Sequence, residues 1–263
     1  MWMAGVYANP FVLLWDSSPE VHITITTPDL GMEENDQTEH MKSLKLTLAL
    51  AVATIAMPFA SHAYVWSSCA RYGTYSSGGY TFYCDEWGSS ASECCNLNSV
   101  TSWNVVSAVA SGGGVKGYPN TSKTINKTIS NYSGSGSWNY SVPSGQHWDC
   151  SFDIWVPTEV MIWVGHDAAT IYPRGTKQYS NVSIAGTTWD VWRENSSYNV
   201  ISFVRDSVSY SGSVNIRTML DYARVTKGWI GNGTIGGLGL GFEIFGSGGS
   251  NHTWTMNSCS IGS

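Results

Sequence analysis

Beyond position 63 the chain is a succession of short runs rich in Val, Ile, Thr, Tyr and Trp, separated by Gly, Ser and Asn. That pattern predicts strands rather than helices. Strands are expected over 79–83, 102–106, 137–141, 188–192 and 199–204. In the stretch 151–165, Phe152, Ile154 and Val156 alternate with Asp153 and Trp155. Beyond a corner at Pro157-Thr158, Val160, Ile162 and Val164 alternate with Glu159, Met161 and Trp163. Since side chains on a strand point alternately to opposite faces, one face is core and the other carries acids and aromatics. In 238–245, Leu238, Leu240, Phe242 and Ile244 form a core face, while Gly239 and Gly241 share the other with Glu243. Only 213–227 breaks the alternation, placing Ile216, Leu220 and Ala223 at helical spacing. The pattern predicts one all-β sandwich or barrel with a single helix.

The first 63 residues read differently. Met41-Lys42-Ser43-Leu44-Lys45 is basic, an apolar run covers 46–60, and Ser61-His62-Ala63 supplies small residues at the positions a signal peptidase reads. Residues 41–63 are expected to be a signal peptide, 1–40 an upstream extension from a mis-assigned start, and 64–263 one secreted domain. Of the formal charge of −6, −5 falls in residues 1–63, leaving 11 Lys/Arg against 12 Asp/Glu. A near-neutral domain gives no electrostatic case for nucleic acid or a membrane surface as partner. The 11 tryptophans beyond position 63 favour carbohydrate instead, because aromatic rings stack on sugar faces, although Trp is also ordinary core material.

Six cysteines in an exported chain allow up to three disulfides. None is spaced as a zinc ligand set, so no metal is expected, and three scattered histidines give a Ser-His-Asp triad little support. Carboxylates remain. Of the five glutamates beyond position 63, Glu86, Glu93 and Glu194 read as solvated, whereas Glu159 and Glu243 stand in apolar strands. Two carboxyls among aromatics suit glycoside hydrolysis, in which one delivers a proton and the other attacks or activates water. Asp153 is placed to hydrogen-bond Glu159 and bias its proton.

These residues resemble a known family. Glu159-Val160-Met161-Ile162-Trp163 resembles the Glu-x-Met-Ile-Trp signature of glycoside hydrolase family 12, and Gly241-Phe242-Glu243-Ile244-Phe245 resembles its second signature. Val115-Lys116-Gly117-Tyr118-Pro119-Asn120 and Trp87-Gly88 are similar to further segments of that family. The resemblance implies an all-β jelly-roll sandwich of two antiparallel sheets with a concave cleft, acting as a monomer without a cofactor. It implies Glu159 as nucleophile, Glu243 as acid/base and Asp153 as an auxiliary acid. Trp87, Trp163, Met161, Tyr72 and Asn120 would contact substrate, and Cys69 and Cys94 would form the N-terminal disulfide. Cys84-Asp85 departs from the family's Asn-Asn.

The resulting expectation is a retaining endo-β-1,4-glucanase, or cellulase-type endoglucanase, acting on β-1,4-linked glucan. A xylanase of the related jelly-roll family and a non-catalytic glucan-binding effector are the alternatives. N-terminal sequencing of exported protein should read from Tyr64; a chain that retains Met1 would overturn the signal-peptide reading.

Overall fold

The structure, a computed structural model, describes residues 63–88, 93–109, 114–167, 173–196 and 199–263. The expected upstream extension, and the signal segment up to residue 62, lie outside them. The chain runs through β1 (Trp66–Ser68), β2 (Thr74–Ser77), β3 (Tyr80–Tyr83), β4 (Glu93–Ser99) and β5 (Ser102–Ser107). Next come β6 (Asn120–Thr128), β7 (Ser135–Ser141), β8 (His147–Trp155) and β9 (Glu159–His166). β10 (Thr176–Ile184), β11 (Thr187–Arg193), β12 (Val200–Arg205) and β13 (Ser211–Asn215) lead to helix α1 (Ile216–Asp221). β14 (Thr234–Gly246) and β15 (His252–Ile261) follow.

Among the described residues the strands form two sheets, a smaller one ordered β1-β4-β5-β15-β7-β13 and a larger one ordered β10-β11-β12-β9-β8-β14-β6-β3-β2. This is the expected two-sheet β-sandwich with a helix. Its pairing departs from full antiparallelism once, where β9 lies parallel to β12 with Glu159 opposite Val200. The hairpin of β10 and β11 occupies the connection between them, and a parallel pair needs such a crossover.

Inward-facing side chains of both sheets fill the core. Phe82, Trp103, Phe242, Tyr140 and Trp148 contact one another edge-on in series, with ring centroids 5.0–5.7 Å apart, the arrangement that aromatic quadrupoles favour. Leu238, Leu240, Phe242 and Ile244 of β14 are buried, as their alternation requires. The helix is shorter than expected. Positions 211–215 pair with β7, and the Asn215 side chain accepts from the Thr218 N–H at 3.0 Å, so the helix starts only at Ile216. After Asp221 it widens into a π-helical turn.

Cys69 and Cys94 form a disulfide, whereas Cys84, Cys95, Cys150 and Cys259 are buried free thiols, so the three bridges that the count allows reduce to one. Glu86 and Glu93 also differ from expectation: both are buried rather than solvated. Burial, reinforced by the Glu86 charge, pushes Glu93 up to about 8.

Gly136 on β7 faces the core, where a β-carbon would overlap the Phe152 ring. Gly136→Val should therefore destabilise the fold by about 1–3 kcal/mol, through displacement of that ring. Thermal unfolding of the variant checks this, and an unchanged midpoint would show that the layer can expand freely.

Candidate active site

The face of the larger sheet opposite the core carries a groove of about 490 Å³. Three adjacent strands supply its acids. On β8, Trp148, Cys150, Phe152 and Ile154 go to the core, leaving Asp149, Ser151, Asp153 and Trp155 on the groove side. A turn at Val156-Pro157-Thr158, closed by the Val156 N–H donating to the Thr158 carbonyl at 3.1 Å, returns the chain as β9. This short turn keeps Trp155 opposite Glu159 and Asp153 opposite Met161, so Asp153 and Glu159 are diagonal neighbours on one face. On the other side of β8, β14 sets Gly239 opposite Asp153 and Glu243 opposite Asp149.

Glu159, Glu243 and Asp153 all line the groove, with Trp87, Tyr83, Asp85, Asn120 and Trp155 among the other lining residues. Trp87 and Trp155 are about half exposed, which leaves ring faces open to a ligand. Asn120 is held by donation to the Tyr118 carbonyl and by acceptance from the Ser122 hydroxyl at 2.6 Å. Three other expected contacts lie elsewhere. Met161 and Trp163 occupy the groove side of β9 but are only 6% and 2% exposed, closed into a second apolar cluster with Val200 and Val204 of β12. Trp192 packs against that cluster. Tyr72, in the turn between β1 and β2, is exposed and outside the groove lining.

The two glycines beside Glu243 divide in function. Gly239 lines the groove, where a β-carbon would crowd Ser122 and Asn120. At Gly241 the vacated space is filled by Pro119 and Asn120 of the chain itself rather than left for a ligand.

Electrostatically the site is a set of crowded, poorly hydrated acids. Burial, followed by the Glu243 charge, pushes Glu159 up to about 7, with Arg174 acting in the opposite direction. Asp153 is raised well above the carboxylate range by burial and then by the Glu159 and Glu243 charges. Glu243 is raised by burial, and the facing Asp149 carboxyl acts in the opposite direction. Groups so shifted hold protons at pH values where a free carboxyl would be ionised, the condition for acid catalysis near neutrality. The sequence alone does not single out Asp149, although it is in phase with Asp153 on the same strand. Its significance depends on the β8–β14 register. Among the described residues no cluster of His, Cys, Asp and Glu is arranged to hold a metal ion, and no helix is long and apolar enough to cross a membrane.

The sequence profile for glycosyl hydrolase family 12 matches residues 78–262. Endoglucanase S of Pectobacterium parmentieri is 30% identical over 152 residues, 51% of this chain and 56% of that protein. The chain thus spans little more than half the length of that relative. Xyloglucan-specific endo-beta-1,4-glucanase A of Aspergillus aculeatus is 30% identical over 200 residues, covering 65% of this chain and 81% of its own. The xyloglucanase domain of NopAA, a type three effector from Sinorhizobium fredii solved with cellobiose, superposes with a TM-score of 0.71 at 30% identity, covering 76% of this chain and 99% of that domain.

The raised Glu159 makes stability depend on pH. Folded Glu159 keeps its proton to about pH 7, whereas the unfolded chain releases it near 4.5. The stabilisation is complete below 4.5 and is lost as pH rises through 7. Glu159→Gln should match the parent in thermal stability at pH 4 and exceed it at pH 8 by on the order of 1–2 kcal/mol, allowing for solvent screening. A difference independent of pH would refute the shift.

Proposed function

Because the chain belongs to glycosyl hydrolase family 12, we propose that it is a secreted endo-β-1,4-glucanase that cleaves internal bonds of a β-glucan with retention of configuration, with Glu159 and Glu243 as the reacting pair. The observation that carries this reading is the convergence of two glutamates, from β9 and β14, on one groove edged by exposed Trp87 and Trp155.

In the first step Glu243 delivers its proton to the glycosidic oxygen as the bond from that oxygen to the anomeric carbon breaks. A Glu159 oxygen forms the new bond to that carbon from the opposite face. Ionised Glu243 then takes a proton from water, whose oxygen displaces Glu159 and restores both carboxyls. Each role has a basis in the surroundings. Arg174 favours the ionised form of Glu159, and a proton on Glu243 removes the charge that otherwise raises Glu159. One proton shared between the two therefore settles on Glu243, leaving Glu159 free to attack. Asp153, diagonal to Glu159, is the auxiliary acid.

The substrate class follows from the shape and chemistry of the groove. It is open and aromatic-edged, suited to an extended chain whose sugar faces stack on Trp87 and Trp155 while hydroxyls meet Asn120 and Asp85. Relatives named for endoglucanase and xyloglucanase activity accord with cellulose-type, mixed-linkage or xyloglucan chains.

Glu159→Gln and Glu243→Gln should each lower reducing-sugar release from barley glucan or xyloglucan at least about 100-fold while the fold persists. A panel including carboxymethylcellulose and xylan should leave xylan the poorest substrate, and the first product detected by NMR should carry the β anomer. Full activity in either variant would refute the assignment, and an initial α product would refute retention.

A further inference from the structure

Asp149 is fully buried, and neither of its oxygens makes a hydrogen bond of normal geometry. The Oγ of Ser151, two positions along the same face, makes none either, although it is near enough to favour the ionised form of Asp149, an influence smaller than those of burial and the Glu243 charge. A buried ionised carboxylate without a donor is among the costliest groups a fold can hold, and the ordinary escape is to keep the proton. A neutral carboxylic acid is itself a donor and needs an acceptor. Directly across the ladder stands Glu243, whose charge is, after burial, the largest influence on the Asp149 carboxyl. Two ionised carboxyls cannot bond to each other, so this contact is favourable only when one of them is protonated. Asp149 is the more deeply enclosed of the two, while Glu243 opens on the groove.

The geometry points to Asp149 as a positioning residue for Glu243: a carboxylic acid that keeps its proton and donates a hydrogen bond to the Glu243 carboxylate, aiming the other Glu243 oxygen into the groove. This rests on Glu243 being the acid/base. The surroundings agree. Asp153 on the same strand and Tyr118 beside β6 add no positive charge, Tyr140 and Cys150 are buried neutral groups, and His166, opposite Asp149 on β9, is held toward its neutral form by burial. The bond favours the ionised form of Glu243, which burial opposes. It thereby supports the second half of the reaction, in which Glu243 must accept a proton from water.

The test is the pH dependence of kcat/KM on barley glucan for the parent, Asp149→Ala and Asp149→Asn. Loss of the donor in Asp149→Ala should move the alkaline limb upward by roughly one pH unit, and Asp149→Asn, which retains an N–H donor, should keep the limb near the parent's position. An unmoved limb in Asp149→Ala would reduce Asp149 to a packing role. A downward movement in both variants would mean that Asp149 is ionised, and either result overturns the proposal. Carboxyl-carbon NMR of the unsubstituted protein provides a check that needs no variant to fold: the Asp149 signal should stay protonated through pH 7, and titration below pH 6 would refute the role. Activity of Glu243→Gln separates the two levels, since a fully active Glu243→Gln removes the acid/base reading itself, whereas an inactive one with a titrating Asp149 removes only this inference.

Discussion

The phase of side chains along β8 is the constraint on which the rest of the site depends. Its core face inserts Phe152 and Ile154 between the sheets, and Phe152 reaches Gly136 of the opposite sheet. With that face fixed, Asp149, Ser151, Asp153 and Trp155 have no other place to go than the groove. A slip of one residue would put three acids or hydroxyls into an aromatic core and expose Phe152, so the register is held by the full hydrophobic contrast between the two faces. Because β8 lies between β9 and β14, its register also sets where Glu159 and Glu243 stand relative to Asp153.

Desolvation then supplies the chemistry. For Asp149, Asp153, Glu159 and Glu243, burial is the leading cause of the upward shift, ahead of any neighbouring charge. A β-sheet face crossed by neighbouring strands keeps water away from the base of each carboxyl, and the sheet offers few free backbone donors because its own ladder uses them. The acids are consequently forced to share protons among themselves.

Much of this was legible in the sequence wherever the information is local. Period-two alternation identifies the core faces of 151–165 and 238–245, and with them the two glutamates. What escaped depends on contacts between distant segments. Met161 and Trp163 share a face with Glu159, but whether that face is open depends on Val200 and Val204, which the parallel pairing of β12 brings alongside. The role of Gly241 likewise rests on the approach of Pro119, more than a hundred positions earlier. Asp149 is in phase with Asp153, yet only the β14 register pairs it with Glu243. The helix starts later than its spacing predicts because 211–215 pair with β7, which makes Asn215 a cap rather than a helical position.

The same dependence on register distinguishes the two ends of the groove face of β8. At one end Glu159 lies beside half-exposed Trp155, within reach of the Arg174 charge, which offsets part of the upward push of burial. At the other, Glu243 lies beside enclosed Asp149, in surroundings that tolerate only neutral groups or a shared proton. An attacking carboxylate belongs in the wetter, partly cationic end, and a proton donor in the drier one. The division of labour proposed for two chemically identical side chains therefore follows from where β9 and β14 set them beside β8 rather than from any difference in the residues themselves.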